Sequence, residues 1–229
     1  MPAERERMQY LEALGIDVWV PREQAGQSVP DLVEVAVTAD EPVPDWTELQ
    51  ASVAGCTRCP LHQCRTQTVF GVGNRDADWM IIGEAPGAEE DRRGEPFVGR
   101  AGKLLDEMLR AVELDRSTVF ITNILKCRPP SNRDPAADEA AACRGYLERQ
   151  IEMIRPRLIL AVGRIAAQQL LHTDSPLGRL RGRVHTLNNG QVPLVVTYHP
   201  AYLLRSPSQK RKVWEDLCLA RQVVQESPT

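Results

Sequence analysis

Between residues 78 and 225 the apolar positions follow two alternating patterns. Short unbroken apolar runs occur at "DWMIIG" (78–83), "TVFITNIL" (118–125), "RLILAVG" (157–163) and "VPLVVTYH" (192–199). Longer stretches between them repeat apolar residues every three or four positions. In "RAGKLLDEMLRAVEL" (100–114), Leu104, Leu105, Met108, Leu109 and Val112 share one face, which predicts an amphipathic helix. Further helices are predicted over 134–154, with Asp134 as N-cap and Pro135 in the first turn, over 164–171, and over 207–225. Strands without polar alternation, each followed by a helix, predict an α/β fold: a three-layer α/β/α arrangement around a four-stranded parallel sheet.

The N-terminal part differs. Residues 24–46, "QAGQSVPDLVEVAVTADEPVPDW", are rich in proline, acidic and small residues and read as a linker. Residues 1–23 read as a short helical segment, with Met8, Leu11, Leu14 and Ile16 loosely on one face. The main domain is then expected over 47–229.

Charge divides the same way. The net charge of −3 combines −7 over residues 1–46 with +4 over the remainder. Basic clusters stand at Arg179, Arg181 and Arg183, and at Arg205, Lys210, Arg211 and Lys212. No apolar run is long enough to cross a membrane, and no secretory leader is visible, so a cytoplasmic protein is expected. Six cysteines in such a chain are expected to stay reduced. Cys56 and Cys59 form a C-x2-C pair, and Cys127 and Cys143 supply a second pair. Four thiolates suit a structural zinc or a [4Fe–4S] cluster. Cys64 is a possible substitute ligand, and Cys218 falls on an apolar helical face where packing is expected.

In an open parallel sheet, ligands bind at the carboxyl ends of the strands. "GEAPG", "NILKCRPP", "GRIA" and "HPAYLLR" each follow one of the four runs. They are therefore expected to converge.

"GEAPG", "EPFVGRAG", "TNILKCRPP" and "TYHPAYLLR", together with the four cysteines, resemble the family-4 uracil-DNA glycosylases over about residues 50–225. The resemblance implies hydrolysis of the bond joining uracil to deoxyribose, after extrusion of the nucleotide from the DNA stack. It implies a [4Fe–4S] cluster on Cys56, Cys59, Cys127 and Cys143. By the same resemblance, His199 donates to a uracil carbonyl oxygen, Asn123 reads the uracil edge, and Phe97 stacks on the base. Glu90 occupies the space that thymine's methyl group would need. Glu84 positions water or sugar, and Gly83 and Ala85 complete the substrate wall. Tyr202, Leu203 or Leu204 would enter the DNA as an apolar wedge, and Arg205, Lys210 and Arg211 would contact phosphates. A monomer is expected.

"MQYLEALGIDVWVPRE" lies outside this core and is similar to the N-terminal segment of the psi subunit of the bacterial replicative clamp loader. That similarity implies docking on a clamp-loader or replisome partner through residues 8–22, with Leu11, Leu14 and Trp19 as anchors. It also suggests a rival to the enzyme reading, a non-enzymatic replisome component on the same fold. Retention of Glu84, Glu90, Phe97, Asn123 and His199 favours the enzyme.

Overall fold

The structure is a computed structural model that describes residues 45–187 and 192–226. The expected helix within residues 1–23 and nearly all of the expected linker lie outside the described residues. The linker's last two residues do not: Asp45 caps helix α1 (Trp46–Ala54) in a reciprocal capping box with Glu48. Trp46 packs edge-on against Phe70 and Phe120.

After α1 come strands β1 (Val72–Gly73) and β2 (Trp79–Gly83), helices α2 (Ala88–Arg93) and α3 (Arg100–Arg110), and strand β3 (Phe120–Asn123). Helix α4 (Ala137–Ile154), strand β4 (Leu158–Val162), helices α5 (Arg164–Leu171) and α6 (Leu177–Leu180), and strands β5 (Val184–Leu187) and β6 (Val192–Thr197) follow. Helices α7 (Pro200–Arg205) and α8 (Lys210–Glu226) end the described chain.

The four expected strands are β2, β3, β4 and β6, and all their mutual pairings are parallel. The sheet is wider than the apolar runs suggest. Its order is β1-β3-β2-β4-β6-β5, with an antiparallel strand at each edge. Neither edge strand has a buried run to reveal it: β1 is two residues long, and β5 is only exposed or half-buried.

Successive residues of the central strands feed opposite layers, as a strand's two-residue side-chain period requires. Met80, Ile82, Ile159 and Ala161 pack with Leu147 and Ile151 of α4 and Ala166 and Ala167 of α5. Trp79, Ile81, Leu158 and Leu160 pack with Leu105 and Leu109 of α3 and Val213 and Leu217 of α8. β3 lies on one side of β2 and β4 on the other, so connections diverge at the carboxyl end of β2. Crevices of this kind are where open α/β sheets bind ligands.

Helix α4 starts later than expected. Its N-cap is Ala136, because the Glu139 carboxylate reaches back to the Ala136 N–H at 2.8 Å. Asp134 therefore does not cap the helix.

Candidate active site

A cleft of about 510 Å³ opens at the carboxyl ends of the parallel strands. It is lined from three strand ends: Glu84, Ala85, Gly87, Glu90 and Phe97 after β2; Asn123 as the last residue of β3, with Asn132 and Asp134 in the segment beyond; and His199, Tyr202 and Arg205 after β6. The "GRIA" motif after β4 adds its turn behind the histidine. A Cβ on Gly163, whose φ is +102°, would lie 3.2 Å from His199 Cβ.

His199 is the N-cap of α7, and its Nδ1 accepts the Ala201 N–H at 3.1 Å. With Nδ1 accepting, the neutral ring carries its proton on Nε2. Burial, and then the positive charge of Arg205, pull the pKa of His199 down to about 4, against a smaller opposing effect of Glu90. The ring is therefore a neutral N–H donor at ordinary pH. It stacks with Phe97, at 5.5 Å between centroids and 28° between planes.

Phe97 adopts φ +54°, a region that bulky residues seldom occupy. The turn that holds it is clamped by Arg116, which donates to Pro96 O at 3.1 Å and also to Phe97 O. Asp106 orients this guanidinium by accepting from its Nε at 2.7 Å. Gly102 admits the turn, since a Cβ there would overlap Phe97 O. Nothing in the local sequence around Arg116 marks this contact, which spans about twenty residues.

Glu90 borders the cleft, but its oxygens are already engaged. Oε2 accepts from Gly87 N at 3.1 Å, and Oε1 accepts from Val98 N at 3.0 Å and Gly99 N at 3.1 Å. The carboxylate thus ties the "GEAPG" turn to the Phe97 turn.

Glu84 is half-buried, and its pKa is raised to about 7 by burial and the nearby negative charge of Asp134, while Arg164 works against the shift. Asp134 is paired with Arg164 at 2.6 Å. Asp134 and Asn132 were not among the residues expected at the site. Pro135 was the available signal: it holds the residue before it extended, which suits a helix cap and a pocket wall equally.

The expected DNA-facing residues divide. Tyr202 and Leu204 are exposed on α7, but Leu203 is 1% exposed and packs in the core with Leu217. Leu203 is thus not available as a wedge, because the helical turn of α7 points it the opposite way from its neighbours. Arg205, Lys210 and Arg211 are exposed, and Arg211 lies 3.3 Å from Glu215. Arg181, from the first basic cluster, is turned inward and pairs with the buried Asp216 at 2.9 Å.

The four cysteines meet in a second cavity. Cys56, Cys59, Cys127 and Cys143 line one small cavity with Val53, Arg58, Arg65, Lys126 and Tyr146. Arg65 donates to Cys127 Sγ at 3.0 Å, and the Lys126 N–H donates to Cys143 Sγ at 3.3 Å. Burial pushes the Cys127 thiol up to about 11, so a bound cation has to drive its ionisation. Among the described residues, no three side chains of His, Cys, Asp or Glu close around a single metal ion. Cys64 is outside that cavity, and its thiol faces Leu61 O at 3.5 Å. Cys218, expected to be packed, is exposed.

The family model of the uracil DNA glycosylase superfamily matches residues 70–218. The chain is 43% identical over 175 residues to a type-4 uracil-DNA glycosylase of Archaeoglobus fulgidus, covering 74% of this chain and 88% of that protein. It is 43% identical over 177 residues to a type-4 uracil-DNA glycosylase of Thermotoga maritima, covering 76% and 92%. A type-5 uracil-DNA glycosylase of Pyrobaculum aerophilum matches at 30% over 182 residues. With a pocket whose walls come from the ends of three parallel strands, and with these relatives matched along most of their length, the chain belongs to the type-4 family of the uracil-DNA glycosylase superfamily.

Proposed function

We propose that this chain removes uracil from DNA by hydrolysing its bond to deoxyribose, with Asn123 and His199 as the pair that recognises and releases the base. The observation that carries the reading is the Ala201 N–H on His199 Nδ1, which leaves Nε2–H free to serve the pocket.

As the glycosidic bond breaks, its electron pair leaves with uracil and negative charge gathers on a ring carbonyl oxygen. A fixed neutral donor at Nε2 stabilises that charge without reorganising. Asn123 is 2% exposed and can accept from the ring N–H while donating to a carbonyl, a pattern that cytosine does not match. Phe97 offers its ring to the extruded base. Gly83 and Ala85 form the adjoining wall. Glu90 shapes that wall through its three backbone bonds, and Glu84 holds the water that adds to the sugar carbon. The water's proton passes to Glu84 or to solvent.

DNA containing uracil is the partner. Tyr202 and Leu204 serve as the wedge, and Arg205, Lys210 and Arg211 contact phosphates. Residues 8–22 dock on a replisome protein, a role tested by capture with the clamp-loader collar before and after Trp19→Ala; undiminished capture by the variant would refute it.

The four-cysteine site holds a [4Fe–4S] cluster. Its all-thiol donor set and the N–H···S bonds from Arg65 and Lys126 fit that group. When bound, the cluster cross-links the segments that carry its cysteines, and the hydrolysis itself runs on the pocket residues.

The test is excision from labelled oligonucleotides carrying U opposite G, U opposite A, or unpaired U. Wild type should leave abasic sites, and Asn123→Ala and His199→Ala should do so far more slowly. Loss of one well-placed donor typically costs about 100- to 1,000-fold. Full activity in either variant would overturn the assignment of that residue.

A further inference from the structure

Lys126 is 1% exposed and stands between Asn123 of the base pocket and Cys127 of the thiol site. Its Nζ donates to Thr122 Oγ1 at 2.6 Å, to Asn123 O at 2.9 Å and to Gln150 Oε1 at 2.7 Å. Nζ thereby makes three hydrogen bonds to groups on two different elements. Its main chain is anchored at both ends, with the N–H on Cys143 Sγ at 3.3 Å and the carbonyl accepting from Val69 N at 2.7 Å. Gln150 and Cys143 lie seven residues apart on α4, hence on one face of that helix. Gln150 also donates to Phe70 O at 3.0 Å, and Thr122 Oγ1 donates to the same carbonyl at 2.9 Å. Phe70 packs in the cluster of side chains that contains Cys127 and Cys143.

We propose that Lys126 is a positioning residue that couples the loading of the four-cysteine site to the placement of Asn123. This rests on the reading that the site holds an iron–sulfur cluster and that Asn123 recognises the base. The geometry supplies the route. The Lys126 head holds the carbonyl of Asn123, and its backbone holds a cluster thiol. Any displacement of Cys143 or Cys127 is therefore passed to the strand end that presents the recognising amide. A buried polar network of this kind is rigid only while every member is satisfied. Loss of the cluster should then loosen the base pocket, although no cysteine lines that pocket.

The test uses the full chain with its cluster assembled, in wild type, Lys126→Met and Thr122→Val. Iron and sulfide content and the visible absorbance of wild type check the cluster reading independently. Amide hydrogen exchange of the segment holding residues 118–127 is then followed in loaded and chelator-stripped protein, alongside kcat and KM for uracil excision. In wild type, stripping should speed exchange in this segment. In loaded Lys126→Met, exchange should already be fast, and kcat should fall about 10- to 100-fold, the usual range for a supporting group behind a functional one. Thr122→Val removes one Nζ acceptor at nearly constant shape. It should shift both readouts in the same direction and by less, which keeps the proposal testable if Lys126→Met does not fold. Unchanged exchange and kcat in a variant that retains its cluster would overturn the coupling. A wild type without iron or sulfide would overturn the cluster reading, and the coupling with it.

Discussion

Gly83 and Asn123 meet at the carboxyl ends of neighbouring strands, where a methyl group on Gly83 would overlap the Asn123 side-chain oxygen and stand 2.6 Å from Phe97 Cζ. The bare backbone of Gly83 lets the Asn123 amide and the Phe97 ring occupy the same corner. Gly83→Ala should therefore reduce excision by on the order of a hundredfold, the cost of displacing reactive groups by about an ångström. Single-turnover kinetics would check this, with a thermal melt to confirm that the variant is folded. An unimpaired rate would show that the corner is not the base site.

Glu84 should give the proposed reaction a pH dependence with a defined sign. Its folded pKa of about 7 lies above its ordinary value of 4.5, so it gains its charge as pH rises through about 7. If the ionised carboxylate holds the water, the single-turnover rate should rise across that range, and Glu84→Gln should be slow and flat. His199, neutral above about 4, adds no step in the same range. Stability should move the other way. Between 4.5 and about 7 the folded protein holds a proton that the unfolded chain has released, so Glu84 weakens the fold as pH rises. Glu84→Gln should consequently raise the melting temperature more near pH 8 than near pH 5.

Glu90 should be a stability residue as well as a pocket residue. Glu90→Ala would leave the N–H groups of Gly87, Val98 and Gly99 without their present acceptor. Hydrogen bonds to a charged group contribute roughly 1.5–3 kcal/mol each, and water can recover part of that here, so a loss of roughly 2–3 kcal/mol is expected. Denaturant unfolding measures it. A variant as stable as wild type would show that the three bonds contribute little.

The two leucines of α7 should separate cleanly. Leu203→Ala should destabilise the fold by about 2–5 kcal/mol, as is usual for a buried leucine. Leu204→Ala and Tyr202→Ala should leave stability nearly unchanged and weaken binding to uracil-containing duplex. Lys210→Ala should reduce the slope of log affinity against log salt by about one. Titrations at several salt concentrations would check both statements.

Much of this molecule is written in residue order. The four parallel strands are unbroken apolar runs because each is covered on both faces, and the helices between them carry a one-sided repeat for the same reason. That motifs at the ends of these strands would face one another follows from parallel pairing alone. Glu84, Glu90, Phe97, Asn123 and His199 accordingly line one cleft. The C-x2-C pair likewise announced a thiol site, and Cys127 and Cys143 complete its lining.

What the order of residues left open involves contacts between distant segments or the phase of a single helical turn. Leu203 and Leu204 are chemically identical, and only the orientation of α7 buries one and exposes the other. Asp134 before Pro135 suits a helix cap by sequence, yet Glu139 satisfies that helix end and Asp134 meets Arg164 thirty residues away. The Arg116 clamp on Phe97, the three backbone bonds of Glu90 and the Lys126 bridge share one physical basis. Each uses a polar group whose partner is a backbone atom or side chain brought close only by folding. Such partners have no signature in composition or periodicity, because any residue supplies a carbonyl or an N–H. The chain's apolar rhythm therefore determined the sheet and the edge of it where the motif residues gather, and the tertiary hydrogen bonds decided which of the gathered residues are tied to backbone or to one another and which keep polar atoms for the cleft.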